Sequence, residues 1–152
     1  MIKVYFSLNS THTDVHEFDL GHINIITKEG NISSKDLNKK NSDMMIFISI
    51  SNLLDNLMDF YSTKNRKKYT FFAVDSCFYL NFTKLKNYKK ITVSTKESSL
   101  DVDFKEFLIV FFKELDRFCK QYMFIMVGSG AVKEDLEYTL KEWDKFKSYY
   151  LN

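Results

Sequence analysis

The chain has 152 residues, 45% of them hydrophobic, with 15 Phe and 9 Tyr but no Pro and only four Gly. That length suits one domain around a single core, and the composition excludes collagen-like, low-complexity and linker-rich classes. The net charge of +2 is unevenly laid out, residues 1–60 summing to −3, 61–96 to +8 and 97–152 to −3, so any electrostatic partner is expected at the middle of the chain.

Ile2, Val4, Phe6 and Leu8 alternate with Lys3, Tyr5, Ser7 and Asn9, the period of two of a half-buried strand. Phe18, Leu20 and His22–Thr27 predict a second strand, closed by turn chemistry at Lys28-Glu29-Gly30-Asn31. Ser33–Asp43 is polar and unpatterned and reads as a surface loop. MMIFISI (Met44–Ile50) is a continuous apolar run, read as a central strand covered on both faces. Ser49 or Ser51 is expected to cap a helix over 52–63, with Leu54, Leu57, Met58 and Tyr61 inward.

KYTFFAVDSCFYLNF (Lys68–Phe82) is dense in aromatic and β-branched residues around Asp75-Ser76, predicting two strands joined by a tight turn. KKITVSTK (Lys89–Lys96) reads as an edge strand protected by lysines. Asp101 or Asp103 is expected to open a long helix, Asp103 with Glu106 having capping-box spacing, and Phe104 through Ile125 follow its 3.6-residue period. VGSG (Val127–Gly130) breaks it, and a last helix spans about 131–149 with Val132, Leu136, Leu140 and Trp143 along one stripe. This order predicts a single compact α+β domain over residues 1–152, with a mostly antiparallel sheet packed against about three helices, the two longest C-terminal. The abundant rings are expected to build its core.

Chemistry is concentrated in few places. THTDVHEFDLGH (Thr11–His22) holds all the histidines, His12, His16 and His22, together with Asp14, Glu17 and Asp19. On a strand His12, Asp14 and His16 share a side, a geometry that metal or general-base chemistry needs, yet no pattern supplies the remaining ligands. A surface or strand-end role is the expected one. VGSG resembles a phosphate cradle but follows a helix, lacks a third glycine and has no P-loop Lys-Thr pair. Gly128 as a left-handed cap and Ser129 as an N-cap account for it. Cys77 and Cys119 form no CxxC pair and read as reduced core residues, with Asp75-Ser76-Cys77 as turn chemistry rather than a nucleophile.

No catalytic, cofactor or metal site is therefore assigned. The N-terminus lacks a secretory signature, and the longest apolar runs, FLIVFF and YMFIMV, are too short to cross a bilayer, so a soluble, cytoplasmic protein with no membrane partner is expected. Two basic runs, KNRKK (Lys64–Lys68) and KLKNYKK (Lys84–Lys90), set lysines beside aromatic residues; they read first as solvated loop ends that keep strand edges from pairing, and second as a surface for an acidic partner or a phosphate backbone. A nucleic-acid partner is disfavoured, because the sequence pI of about 8.4 falls short of a dedicated binder and no RNP1-like or helix-turn-helix pattern is present.

MMIFISISNLLDNLMDFY followed by KKYTFFAVDSCFYLNF resembles small bacterial immunity proteins, which protect a cell from its own polymorphic or contact-dependent growth-inhibition toxins. The likeness covers roughly residues 40–120 as a strand, helix, hairpin and helix, in an Asn- and Lys-rich, proline-free composition. It implies a stoichiometric inhibitor that binds a cognate toxin domain, with no catalytic residue to carry over. Many immunity proteins against nucleases are markedly acidic, whereas this chain is near neutral with a basic middle. In such a binder the partner-binding candidates are Lys64, Arg66, Lys67, Lys84 and Lys86, with Tyr88 as aromatic neighbour. The alternative is a small hydrolase or nucleic-acid-binding protein using the histidine-rich segment 12–22 or the basic segment 64–90.

Overall fold

A computed structural model describes residues 1–9, 14–35 and 40–152. The first sheet is a hairpin-based meander in which β1 (Lys3–Leu8) pairs antiparallel with β3 (Leu20–Thr27), which pairs with β4 (Gly30–Ser33). Alternation places Val4, Phe6, Ile23, Ile25 and Ile32 inward. β2 (Val15–His16) leaves this sheet and is taken up elsewhere. The short β5 (Met44–Met45) joins β3 at Leu20 and Gly21. Gly21 is obligatory there, because a Cβ would lie 2.1 Å from the Ser7 carbonyl oxygen.

The expected central strand over Met44–Ile50 is instead the start of α1 (Ile46–Ser62). Ile46, Phe47, Ile50, Leu53, Leu54, Leu57, Met58 and Phe60 are all buried, so the helix is covered around most of its circumference. A helix hydrophobic nearly all round reads locally like a buried strand, which is why the apolar run misleads. Neither Ser49 nor Ser51 caps it. The helix begins against the first sheet, with Ile46 N–H donating to the Asp19 carbonyl at 3.2 Å. Ser49 Oγ accepts from the Val74 N–H, and Ser51 Oγ meets Thr139 Oγ1.

The second sheet is a four-stranded antiparallel meander of β6 (Lys68–Phe72), β7 (Tyr79–Lys84), β8 (Lys90–Ser94) and β9 (Ser99–Asp103). The predicted hairpin is present, but a six-residue loop, Ala73–Phe78, replaces the tight turn, with Asp75 at φ 54°. β8 is an inner strand, not the edge. β9 covers it, burying Leu100 and Val102 while Asp101 faces out. The acids that mark a helix start also hid this strand. Asp103 then caps α2 (Phe104–Tyr122) by accepting from the Glu106 N–H at 2.8 Å, as expected.

α2 ends before Ile125, in a 3-10 turn (Met123–Ile125), and is followed by β10 (Met126–Val127), which pairs parallel with β2. α3 (Ala131–Phe146) continues as a π-helical turn to Leu151, so the two longest helical segments are C-terminal. The fold is α+β with largely antiparallel sheets. The three helices pack on one another, and α2 also covers β1 and β9. Rings make much of this core: Phe6 meets Phe111 edge-on at 5.2 Å, Phe47 meets Phe118 at 5.2 Å, and Phe112 stacks on Trp143 at 4.6 Å. Among the described residues no helix is long and apolar enough to cross a membrane.

Candidate functional site

The histidine-rich segment does not assemble a site from its described members, and His12 lies outside them. His16 is exposed on β2, where its N–H donates to the Asp19 carboxylate at 3.0 Å. His22 sits in β3, its Nδ1 hydrogen-bonded to Ser34 Oγ at 3.0 Å, and burial pulls its pKa below the ordinary value. No group of three or more His, Cys, Asp or Glu side chains converges among the described residues.

Glu17 points away from the histidines and into VGSG. Its carboxylate accepts from the backbone N–H and the hydroxyl of Ser129, each at 3.1 Å. The Ser129 backbone N–H holds the carboxyl below the usual carboxylate range against the opposing effect of burial, helped by the Ser129 hydroxyl and the N–H groups of Val132 and Gly130. The cradle that resembles a phosphate site is thus filled by the chain's own anion. Gly128 does not cap α2; a Cβ there would come within 2.5 Å of Glu17 Cδ. Ser129 is not the N-cap either, since Gly130 takes that place at φ 88°.

The cysteines divide. Cys119 is buried as expected, and burial pushes its thiol up to about 12. Cys77 is exposed in the Ala73–Phe78 loop, contrary to the core reading, because that loop folds outward and ties its Cys77 N–H to the Asn41 carbonyl at 2.8 Å.

The two basic runs, by contrast, are brought together. β6 pairs with β7 so that the Lys84 N–H reaches the Lys67 carbonyl at 2.9 Å. The chain then turns at Leu85–Tyr88, with Tyr88 at φ 57°, and the Phe104 N–H bonds the Lys89 carbonyl at 2.8 Å. Both runs, the C-terminus of α1 and the N-terminus of α2 therefore share one end of the second sheet.

The six predicted partner-binding residues fall into two groups. Lys64, Lys67, Lys86 and Tyr88 are exposed at this end. Arg66 and Lys84 are committed to the fold. The Arg66 guanidinium pairs with Asp59 at 2.9 Å and lies 5.1 Å from the Tyr69 ring centroid. Lys84 is only 8% exposed; its Nζ donates to the Thr63 carbonyl at 2.8 Å and lies 4.5 Å from the Phe60 centroid, closing the end of α1. Burial first, and then Arg66, lower its pKa. Its position follows from the β7 alternation Leu80, Phe82, Lys84, which makes it the inward-facing member of a basic run.

Beside Lys84 a pocket of about 420 Å³ is lined by Lys64, Lys84, Lys89 and Lys105 with Tyr61 and Tyr88. Lys89 and Lys105 were not among the predicted residues. Lys105 carries a signal nonetheless, because a cation in the first turn of a helix opposes the dipole. A larger open groove of about 670 Å³ lies between α1 and α3, with acidic Asp55 and Glu142 beside Tyr138 and Tyr150.

Compared with known protein families, curated proteins and solved structures, the chain matches none.

Proposed function

We propose that this protein is a toxin-immunity protein that binds a cognate bacterial toxin domain stoichiometrically in the cytoplasm and neutralises it. The observation that carries the reading is the convergence of both basic runs on one end of the second sheet, leaving Lys64, Lys67, Lys86 and Tyr88 exposed on a rigid frame. Lysines around an aromatic anchor suit partner recognition: charge speeds the encounter, and a buried tyrosine holds the complex. Arg66 and Lys84 support that face from below rather than contacting the partner.

The test is a growth assay in which the toxin domain encoded by the adjoining reading frame is expressed with and without this chain. Reversing Lys64, Lys67 and Lys86 to Glu, or changing Tyr88 to Ala, is expected to abolish protection while the melting temperature holds. Replacing His12 and His16 by Ala is expected to leave protection intact. Full protection by the charge-reversed variant sinks the assignment of this face, and loss of protection on histidine removal favours a hydrolase.

A further inference from the structure

Lys84 is a buried cation with no carboxylate in ion-pair contact among the described residues. An ammonium has three N–H donors, and a buried charge is ordinarily paired. Here one donor goes to the Thr63 carbonyl and a ring face takes up part of the charge. Lys84 also lines the 420 Å³ pocket, together with Lys64, Lys89 and Lys105. Lys64 follows α1, Lys84 and Lys89 share the run from β7 into the β7–β8 turn, and Lys105 lies in α2, so the cluster draws on three stretches of chain and is not one solvated run. The wall also contains the N-terminus of α2, whose dipole adds positive potential. Asp103, the one lining carboxylate among the described residues, is engaged in capping the Glu106 N–H.

We propose that this pocket binds a small phosphorylated ligand, its phosphate held by Lys84, Lys89 and Lys105 and its planar part against Tyr61 and Tyr88. The volume lies within the range of small-ligand sites, and a phosphate supplies an anion to lysines that have no ion-pair partner among the described residues. Tyr61 is rigid, packed edge-on against Phe104 and Phe146, so its position is set before a ligand arrives. The inference shares Lys64 and Tyr88 with the inhibitor face but does not rest on it, because ligand binding is measured on the isolated chain.

The experiment titrates the purified protein with AMP, inorganic phosphate and adenosine, followed by calorimetry and amide chemical shifts. AMP is expected to saturate at one per chain, phosphate to bind about tenfold more weakly for want of ring contacts, and adenosine not to bind. Lys89→Gln with Lys105→Gln is expected to weaken AMP at least tenfold with the melting temperature and toxin neutralisation unchanged. Lys84→Met keeps the apolar stem and removes the charge; the exposed pair serves should that variant fail to fold. The proposal is overturned if neither AMP nor phosphate saturates at about 10 mM, where a site with a dissociation constant of about 1 mM is largely filled. It is equally overturned if the lysine variants bind as the parent does, or if affinity for single-stranded oligonucleotides climbs with length, which marks a nucleic-acid track instead.

Discussion

The Glu17 carboxylate and the Ser129 backbone N–H, 112 positions apart in the chain, meet at 3.1 Å. Through this contact the strand end that carries the histidines determines where the last helix begins, and an apparent phosphate cradle becomes an internal cap.

Because the folded state holds the Glu17 carboxyl below its ordinary value of 4.5, the stability it contributes is present above that pH and is lost as pH falls through the lowered value. Glu17→Gln is expected to lower the urea midpoint at pH 7 and to flatten its decline below pH 4.5. Gly128→Ala is expected to destabilise the parent more than it destabilises Glu17→Ala, since the added Cβ meets the Glu17 side chain. Equal effects in both backgrounds refute the contact.

Glu114 performs the corresponding task for β1. Its buried carboxylate accepts from the Phe6 N–H at 3.0 Å and from Arg117 Nε and Nη2 at 2.7 and 2.6 Å. Glu114→Ala leaves an edge-strand N–H without a partner and is expected to cost about 1–3 kcal/mol in chemical denaturation. Amide exchange at Phe6 should accelerate in parallel. An unchanged exchange rate there argues that water replaces the carboxylate without loss.

Asp55 behaves in the opposite sense. Burial raises its pKa above 3.8, with Asp135 and Glu142 adding to the shift and the 3.2 Å bond from Thr139 Oγ1 resisting it. A raised carboxyl contributes stability below the unfolded value, and that contribution fades as pH rises through the folded value. Asp55→Asn keeps an acceptor for Thr139 and removes the charge. Its thermal midpoint is expected to exceed the parent's at pH 7, and the gap should close below pH 3.8. A gap that persists in acid assigns the effect to packing.

The thiols provide a direct check on the loop Ala73–Phe78. In the native protein Cys77 is expected to react readily with a disulfide reagent, while Cys119, buried with its thiol pushed up to about 12, reacts only after unfolding. Two native equivalents contradict the packing of α2, and none contradicts the outward course of the loop.

Local signals served well where neighbours in sequence are neighbours in space. The Lys68–Phe82 hairpin and the Asp103 cap bond across one loop or within a few residues, and the β1 alternation reports one buried face, so their patterns survive folding. The start of α1 misleads because Ile46, Phe47, Ser49, Ile50 and Ser51 are all buried, covering the helix on nearly every side, which erases the period that distinguishes a helix from a strand. β9 carries no clear strand signal because Asp101, exposed on the strand, and Asp103, which caps α2, resemble the first turn of a helix.

From its residues alone this protein is an α+β fold with a ring-built core, because alternation, amphipathic period and aromatic abundance act over short stretches of chain. The tertiary structure decided which charges are free. It turned Glu17 into a cap and Lys84 into a buried cation, and it brought Lys105 beside Lys64 and Lys89. Pairing between distant side chains depends on strand register and helix packing, and a charged residue carries no mark in the sequence of the partner that packing will assign to it.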